Sequence, residues 1–410
     1  MATVAGLTAG ELALARGRLE AFAEDVFESL VRSDQRRWGE VYLRGLMLDG
    51  RRKSIEPMAA RLGDADEQCL QQFVNQSPWD WRGVRRRLAE LVSEQIKPEA
   101  WIIDDTGFPK QGRFSVGVAR QYCGALGKVG GCQIGVSVNA ATDRASCPLD
   151  WRLFLPAEWE RDEERRAKAH LPETVGHRPK WQLALDMIDE LTGWGLVPGV
   201  ISGDGAYGDI TEFRQGLDER GLSYVLQLQG SAAAYPADVV PERPAYQGTG
   251  RPAAARYRAK RSSLKALALA AGAQAAVTVS WREGSRGPMR SRFIALRVRP
   301  ANARLRSAAA QTGGELPERW LLAEWPAGSD EPVKYWLSNL PADTPLQQLV
   351  RLAKLRWRIE HDYRELKDAL GLDHFEGRSF NGWHHHVTLV SLAHAFLTQE
   401  RQRPRLGAAA

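Results

Sequence analysis

Three isolated carboxylates, far apart in the chain, are candidates to hold hard metal ions. Asp105 lies where the apolar run AWII gives way to DDT, and Asp204 follows the run GVISG in GVISGDGAYG. Glu360 lies downstream in RWRIEHDYRELKDALGL. Mg²⁺ prefers oxygen ligands, and two such ions can stabilise the attacking and leaving oxygens of an in-line displacement at phosphorus. The three residue types therefore point to phosphodiester cleavage and transfer.

The first of these positions holds two adjacent acids. Successive side chains of a strand point to opposite faces, so Asp104 and Asp105 cannot both face one site. Alternation alone leaves open which of them is the ligand.

The third acid lies between two cations on a predicted helix that spans residues 344–370. With 3.6 residues per turn, Glu360 is about 40° and Lys367 about 20° round the helix from Arg356. One interpretation is an ion-pair stripe on the surface, because such pairs are common on exposed helices. The other is a face that holds phosphate beside a metal ligand.

The elements that would position these residues follow a recognisable order. After residue 97 the pattern predicts a three-strand meander, then helix, strand, helix and strand, which is the order of a ribonuclease-H-like α/β core. The predicted division is a helical DNA-binding region over 1–97, the core over 98–229 and 341–400, a mostly β insertion over 230–340, and a flexible tail over 401–410.

Charge favours a polyanionic partner. The formal net charge of the 410 residues is +6, and arginine suits phosphate because its guanidinium pairs with it in bidentate fashion. A compact basic group lies in WDWRGVRRRL and contains Arg82, Arg85, Arg86 and Arg87. These are predicted DNA contacts, although an arginine cluster is also typical of a solvated helix face, and arginine-rich composition can reflect a high-GC genome.

Other classes of protein are not supported by the pattern. The four cysteines form no CxxC pair, so neither a zinc ribbon nor a disulfide framework is predicted. His384, His385 and His386 are about 100° apart on a helix and cannot converge on one ion, so we interpret them as surface residues or phosphate contacts. We find no signal-peptide pattern and no apolar run of membrane-spanning length, which predicts a cytoplasmic protein.

Several separated blocks, in the correct order, resemble the DDE transposases of bacterial insertion sequences. Arg356, Glu360 and Lys367 reproduce the spacing of the Tyr-x2-Arg-x3-Glu-x6-Lys signature of the insertion-sequence-four-like superfamily, and the blocks resemble its seven-oh-one-type branch. DDTGFPKQG resembles the block of the first acid and GDGAYG that of the second. The position of the signature tyrosine is Ala353, so the role of that phenol is absent here or supplied from elsewhere.

The resemblance implies a function and a set of partners. It implies that Asp105, directly before Thr106, is the first ligand, with Asp104 as the uncertain alternative. It implies two Mg²⁺ ions, for which Mn²⁺ is expected to substitute, and Arg356 and Lys367 at the DNA. Double-stranded DNA, as transposon ends and target, would be bound by a homodimer at the bacterial nucleoid. The alternatives are a domesticated, non-catalytic DNA-binding protein and a metal-dependent nuclease of the same fold.

Overall fold

A computed structural model describes residues 9–243, 245, 248, 255–285, 287–311 and 314–403. The chain divides into two compact units. The first comprises Met1–Pro98, Asp104–Val197 and Arg358–Ala410, and the second comprises Glu99–Ile103 and Pro198–Trp357.

The first unit begins with helices. Their bounds are α1 Ala9–Val26, α2 Ser33–Met47, α3 Ile55–Ala59, α4 Glu67–Asn75 and α5 Trp81–Ile96. Aspartates start two of them, because the Asp66 side chain accepts from Cys69 N at 2.8 Å and the Asp80 side chain from Arg82 N at 2.9 Å. Each bond satisfies one backbone donor that the first turn of a helix leaves without a partner.

The strands of the first unit follow as an antiparallel meander. Strand β1, Ala100–Pro109, enters this unit at Asp104. Strands β2 Ala119–Cys123, β3 Lys128–Ala141 and β4 Ser146–Phe154 then pair in succession, β2 with β3 and β3 with β4. Two helices complete this part of the chain, α6 Glu163–Lys168 and α7 Lys180–Gly193.

The second unit contains a parallel pattern. The beginning of β1 pairs in parallel with β5, Val200–Gly203, and β5 pairs in parallel with β6, Tyr224–Leu228. Parallel strands need a crossover connection, and α8, Gly205–Gly208, and α9, Thr211–Glu219, lie in the connection from β5 to β6. All four residues of β5 are buried, as is typical of parallel strands covered on both faces.

The remaining elements of the second unit are mainly antiparallel strands. Their bounds are β7 Ala233–Pro236, β8 Ser262–Ser263, α10 Leu264–Ala271, β9 Val277–Gly284, β10 Gly287–Pro300, α11 Ala303–Gln311, β11 Arg319–Glu324, β12 Lys334–Ser338 and α12 Leu346–Lys354. From β6 the pairing runs through β12 and β11 to β10, and both β7 and β9 pair with β10.

Two helices return the chain to the first unit, α13 Trp357–Asp368 and α14 Phe380–Gln402. Helix α14 packs against α2, α4, α5 and β4, and it is buried along most of its length. Among the residues that the structure describes, no helix is long and apolar enough to cross a membrane.

The predicted fold class is confirmed. The strands, helices and chain order of an α/β, ribonuclease-H-like protein are present, with a meander followed by β5, α9 and β6. The helices before Pro98 share a compact unit with residues 104–197, and the domain limits given above stay a prediction. Of the predicted tail, residues 401 and 402 belong to α14 and residues 404–410 lie outside the described part of the chain.

The single helix predicted over residues 344–370 is wrong. Helix α12 ends at Lys354 and α13 starts at Trp357, with Leu355 and Arg356 in a turn between them. Leu355 N donates to Leu352 O, which is a 3₁₀-type bond that tightens the last turn of α12. Arg356 therefore precedes the helix that carries Glu360 and does not share a helical stripe with it.

The three consecutive histidines are not at the surface. His384, His385 and His386 are at most 1% exposed, so the interpretation of these side chains as surface residues or phosphate contacts is wrong. His385 stacks on Trp79 with ring centroids 3.8 Å apart, and His384 stacks on Trp81 at 4.3 Å. They are core residues that join α14 to the N-terminal helices.

Acid should weaken this core through His386. Its ring lies between the Tyr42 hydroxyl and Gly371 O, both at 3.0 Å, which suits a neutral imidazole that accepts from one and donates to the other. Burial lowers the pKa of His386 to about 4. Since the unfolded chain takes up this proton near pH 6.5, stability that is fully present above pH 6.5 should fall towards pH 4, by about 1.4 kcal/mol per pH unit for one proton.

Urea-unfolding midpoints between pH 7.5 and 4.5 measure this effect. The variant His386→Gln should be less stable than the wild type at pH 7.5, because it cannot serve both partners. As the pH falls, the free energy of unfolding of this variant should decline less steeply than that of the wild type, and the difference in slope should correspond to about one proton. Parallel curves for the two proteins would show that His386 does not titrate in this window.

Candidate active site

Asp105 faces a cavity in the first unit. Its side chain is 22% exposed, and it lines a cavity of about 310 Å³ together with Thr106, Gln121 and Lys180. Its neighbour Asp104 is 8% exposed and accepts a hydrogen bond from the backbone N of Asp105 at 2.8 Å. The accessible carboxylate of the pair is therefore that of Asp105.

A lysine forms an ion pair with this carboxylate. Lys180 Nζ lies 3.0 Å from Asp105 Oδ2, and it also lies 5.7 Å from the ring centroid of Phe154. Lys180 is the first residue of α7. Lys180 was not predicted as a site residue, because the contact joins positions 75 residues apart and depends on how α7 packs against the strands.

Asp204 directly follows β5 in the second unit. Ile103 of β1 pairs with Gly203, the last residue of β5, so the carboxylate is placed at the end of a pair of parallel strands. The Asp204 side chain accepts from Ala206 N at 2.9 Å and so caps α8. Its half-buried position allows the carboxylate to remain accessible from the adjoining cleft.

That cleft combines acids and cations. It has a volume of about 560 Å³, and its charged lining residues are Asp204, Asp209, Lys334 and Arg356. Asp209 Oδ1 accepts from Gln229 N at 2.9 Å. The turn between α12 and α13 thus brings Arg356 to the same cleft as Asp204, whereas Lys334 and Asp209 were not predicted. Asp209 could have been noticed as the second acid of GDGAYGD.

Glu360 and Lys367 lie on α13 in the first unit. Glu360 is exposed in the first turn of the helix. Lys367 Nζ donates to Gly107 O at 2.9 Å and lies 5.5 Å from the Phe108 ring centroid, and burial lowers the pKa of its ammonium. Lys367 therefore contacts the backbone of β1 two residues beyond Asp105.

The arginines of α5 differ in their surroundings. Arg82 and Arg86 have side chains that are 62% and 56% exposed, and they lie 3.7 Å from Glu190 and 2.9 Å from Glu90. Arg87 is 34% exposed and binds both carboxylate oxygens of Asp25, at 2.6 and 2.9 Å. Arg82 and Arg86 are thus the most accessible of the predicted DNA contacts on this helix.

Arg85 is buried, which contradicts its prediction as a DNA contact. Its side chain is 1% exposed and bonds to Asp150 Oδ1 at 2.8 Å, Thr388 Oγ1 at 2.7 Å and His384 Nδ1 at 3.0 Å. Burial lowers the pKa of the guanidinium to about 10. A residue enclosed in this way ties α5 to β4 and α14 and does not reach a phosphate.

The chemistry of the three candidate ligands fits Mg²⁺. Asp105, Asp204 and Glu360 are partly or fully accessible carboxylates, and hard divalent cations take oxygen ligands. Within the described ranges, no group of three or more His, Cys, Asp or Glu side chains is arranged to hold a metal ion.

Comparison with known proteins identifies the family. Residues 25–288, more than half of the chain, match the DDE superfamily endonuclease family, a range that includes Asp105 and Asp204 and ends before Glu360. Over 190 residues the chain is 29% identical to a probable transposase for insertion sequence element IS701 from Microchaete diplosiphon. That alignment covers 46% of this chain and 47% of the relative, so the chain spans about half the length of the relative it matches. By the extent of the family match, the chain belongs to the DDE superfamily of endonucleases.

Proposed function

We propose that this endonuclease is a DNA transposase that binds the inverted-repeat ends of an insertion sequence and moves it by cut-and-paste transposition. The observation that carries the proposal is the cleft of the second unit, in which Asp204 lies with Arg356 and Lys334. Two cations in a cleft that also contains carboxylates suit a phosphodiester whose charge must be held while it reacts. The transposase similar to this chain adds support.

Asp105, Asp204 and Glu360 are the proposed catalytic acids and metal ligands. When bound, two Mg²⁺ ions supply charge stabilisation for in-line displacement at phosphorus, and Mn²⁺ is expected to substitute. Cleavage adds water across a P–O bond and leaves a 3′-hydroxyl. Joining uses that hydroxyl to displace a 3′-oxygen of the target strand. One phosphodiester is exchanged for another, so strand transfer needs no further energy source.

The proposed DNA contacts follow the accessible cations. Arg356 would hold a phosphate in the Asp204 cleft, where a planar guanidinium can bond to two of its oxygens. Lys367 would contact DNA and would also help to position Asp105, since its ammonium donates a hydrogen bond to Gly107 O, two residues beyond Asp105 in β1. Arg82 and Arg86 would contact the end DNA from α5, whereas Arg85 no longer belongs to the set.

Salt dependence checks the role of α5. The double variant Arg82→Gln, Arg86→Gln should bind end DNA more weakly, and the slope of log affinity against log salt should become shallower by roughly 2, because each lost phosphate contact removes about one released counterion. The double variant Lys168→Gln, Arg304→Gln is the matched control, since both cations are exposed, pair with Glu164 and Glu212, and lie outside the predicted DNA-binding region. Unchanged affinity and slope in the double variant would remove α5 from the DNA site.

We propose that the transposase acts as a homodimer on paired ends, at the nucleoid in the bacterial cytoplasm.

Labelled duplexes from either side of its gene, mixed with supercoiled plasmid and Mg²⁺, test the function. A transposase should cut the duplexes at an inverted repeat and join them to the plasmid. Cleavage without joining would favour a nuclease, and binding without cleavage would favour a domesticated DNA-binding protein.

A further inference from the structure

The turn between α12 and α13 is held from both sides by one strand. Leu355 and Arg356 form this turn, and Arg356 lines the cleft that contains Asp204. Leu355 is buried, and the position of Arg356 depends also on what fixes the residues before and after the turn. Within the second unit, those residues contact successive positions of β9.

Before the turn, Lys354 is enclosed by aromatic rings. Its Nζ lies 2.6 Å from Glu324 Oε2, and it lies 4.8, 5.5 and 5.3 Å from the ring centroids of Trp281, Phe293 and Trp336. A cation within about 6 Å of a ring centroid is attracted by the ring quadrupole. The last residue of α12 is therefore fixed against β9, β10, β11 and β12.

After the turn, Trp357 stacks on the next residue of the same strand. Arg282 Cζ lies 3.7 Å from the centroid of the Trp357 ring. The Nε of Arg282 is buried and has no hydrogen-bond partner among the residues described, which suits a guanidinium that stacks on a ring. Further back, the Gln347 side chain donates to Ser280 O. Three successive residues of β9 thus contact the chain around the turn. Ser280 contacts Gln347, Trp281 contacts Lys354 just before the turn, and Arg282 contacts Trp357 just after it.

We propose that β9 is a positioning element of the DNA site, in which Arg282, through Trp357, keeps Arg356 directed into the Asp204 cleft. The inference rests on the proposed function, because it assumes that Arg356 holds a DNA phosphate there. It assigns β9 a role in cleavage that acts through the position of Arg356 and not through contact of β9 with the reacting atoms. A displacement of about 1 Å in a positioned group can cost roughly 100-fold in rate, so a small loosening of the turn should be measurable.

A double-mutant cycle tests the inference. The cleavage rate of saturating end DNA is measured for wild type, Arg282→Ala, Arg356→Ala and the double variant, beside thermal unfolding of each. Arg282→Ala should slow cleavage at least tenfold with little change in melting temperature. In the Arg356→Ala background the same change should cost less than threefold, because a positioning residue has no effect once its target is gone.

Two further variants make the result specific. Arg282→Lys keeps a cation over the ring and should recover at least half of the loss on a logarithmic scale. If Arg282→Ala does not fold, Arg282→Gln, which removes the charge and keeps more of the side-chain volume, takes its place in the cycle with the same expected results. Arg290→Ala, an exposed arginine of β10 in the same hairpin, is the matched control and should cleave like the wild type.

The outcomes separate the inference from the proposed function. If Arg356→Ala is defective and Arg282→Ala cleaves normally, or if their losses multiply, the inference is overturned while the proposed role of Arg356 stands. If Arg356→Ala itself binds and cleaves end DNA like the wild type, both are overturned.

Discussion

Replacing Asp204 with Asn is expected to reduce cleavage of end DNA at least about 1000-fold, since losing a charged metal ligand removes several kcal/mol of transition-state stabilisation. The fold should be retained. Asp204 caps α8 by accepting from Ala206 N, and an Asn side chain can accept the same bond. Asp105→Asn and Glu360→Gln should lose cleavage to a similar extent.

The measurement is cleavage of labelled end DNA beside equilibrium binding of the same duplex. Binding should stay within about threefold of the wild type, because phosphate contacts supply most of the affinity. Asp66→Asn is the matched control, because Asp66 caps α4 in the same way and lies outside the candidate site. An Asp204→Asn protein that cleaves within threefold of the wild type would exclude this residue from the chemistry.

Replacing Arg85 with Met should destabilise the protein by roughly 3 kcal/mol or more, because several buried groups lose a charged hydrogen-bond donor and each such bond contributes about 1.5–3 kcal/mol. Arg85 and Asp150 are each 1% exposed. In the variant, Asp150 keeps its ion pair with Arg152, whereas Thr388 and His384 each lose the hydrogen bond that Arg85 donates. Arg85→Lys should also be destabilising, because an ammonium cannot reproduce the planar fork of a guanidinium.

Arg86, the residue after Arg85, provides a comparison for the change in the free energy of unfolding. Arg86→Met should change the free energy of unfolding by less than about 0.5 kcal/mol, as is usual for exposed i,i+4 pairs. Urea unfolding gives the stabilities, and binding of end DNA at low temperature gives the second readout. If Arg85→Met were as stable as the wild type and bound DNA poorly, Arg85 would be a surface contact after all.

The parts of the fold that could be predicted depend on local pattern. The run AWII before Asp104 and the buried run before Asp204 have strand character in the sequence itself, so a strand at each place followed from composition and periodicity. Asp204 does follow the end of β5, whereas β1 continues to Pro109, so Asp105 lies within its strand and not at its end. The helices up to residue 96 and the strands between residues 277 and 338 were likewise apparent from periodicity.

The parts that could not be predicted depend on tertiary packing. Nothing in the spacing of Arg82, Arg85, Arg86 and Arg87 distinguishes the one that is buried, because the partners of Arg85 lie on β4 and α14. The break at Leu355 and Arg356 lacks a proline or glycine, and β9 holds it from more than 70 residues earlier in the chain. Lys180 was missed for the same reason.

Asp105, Asp204 and Glu360 are proposed to hold the metal ions that cleave DNA, and ligand softness is the sharpest test of this role. Asp105→Cys, Asp204→Cys and Glu360→Cys are compared with the wild type for cleavage of end DNA in Mg²⁺ and in Mn²⁺. Thiolates suit Mg²⁺ poorly, and softer ions accept them better, so each variant should be inactive with Mg²⁺ and recover at least about tenfold with Mn²⁺. Cleavage by these variants at the wild-type rate in Mg²⁺ would show that the three residues do not hold the metal ions.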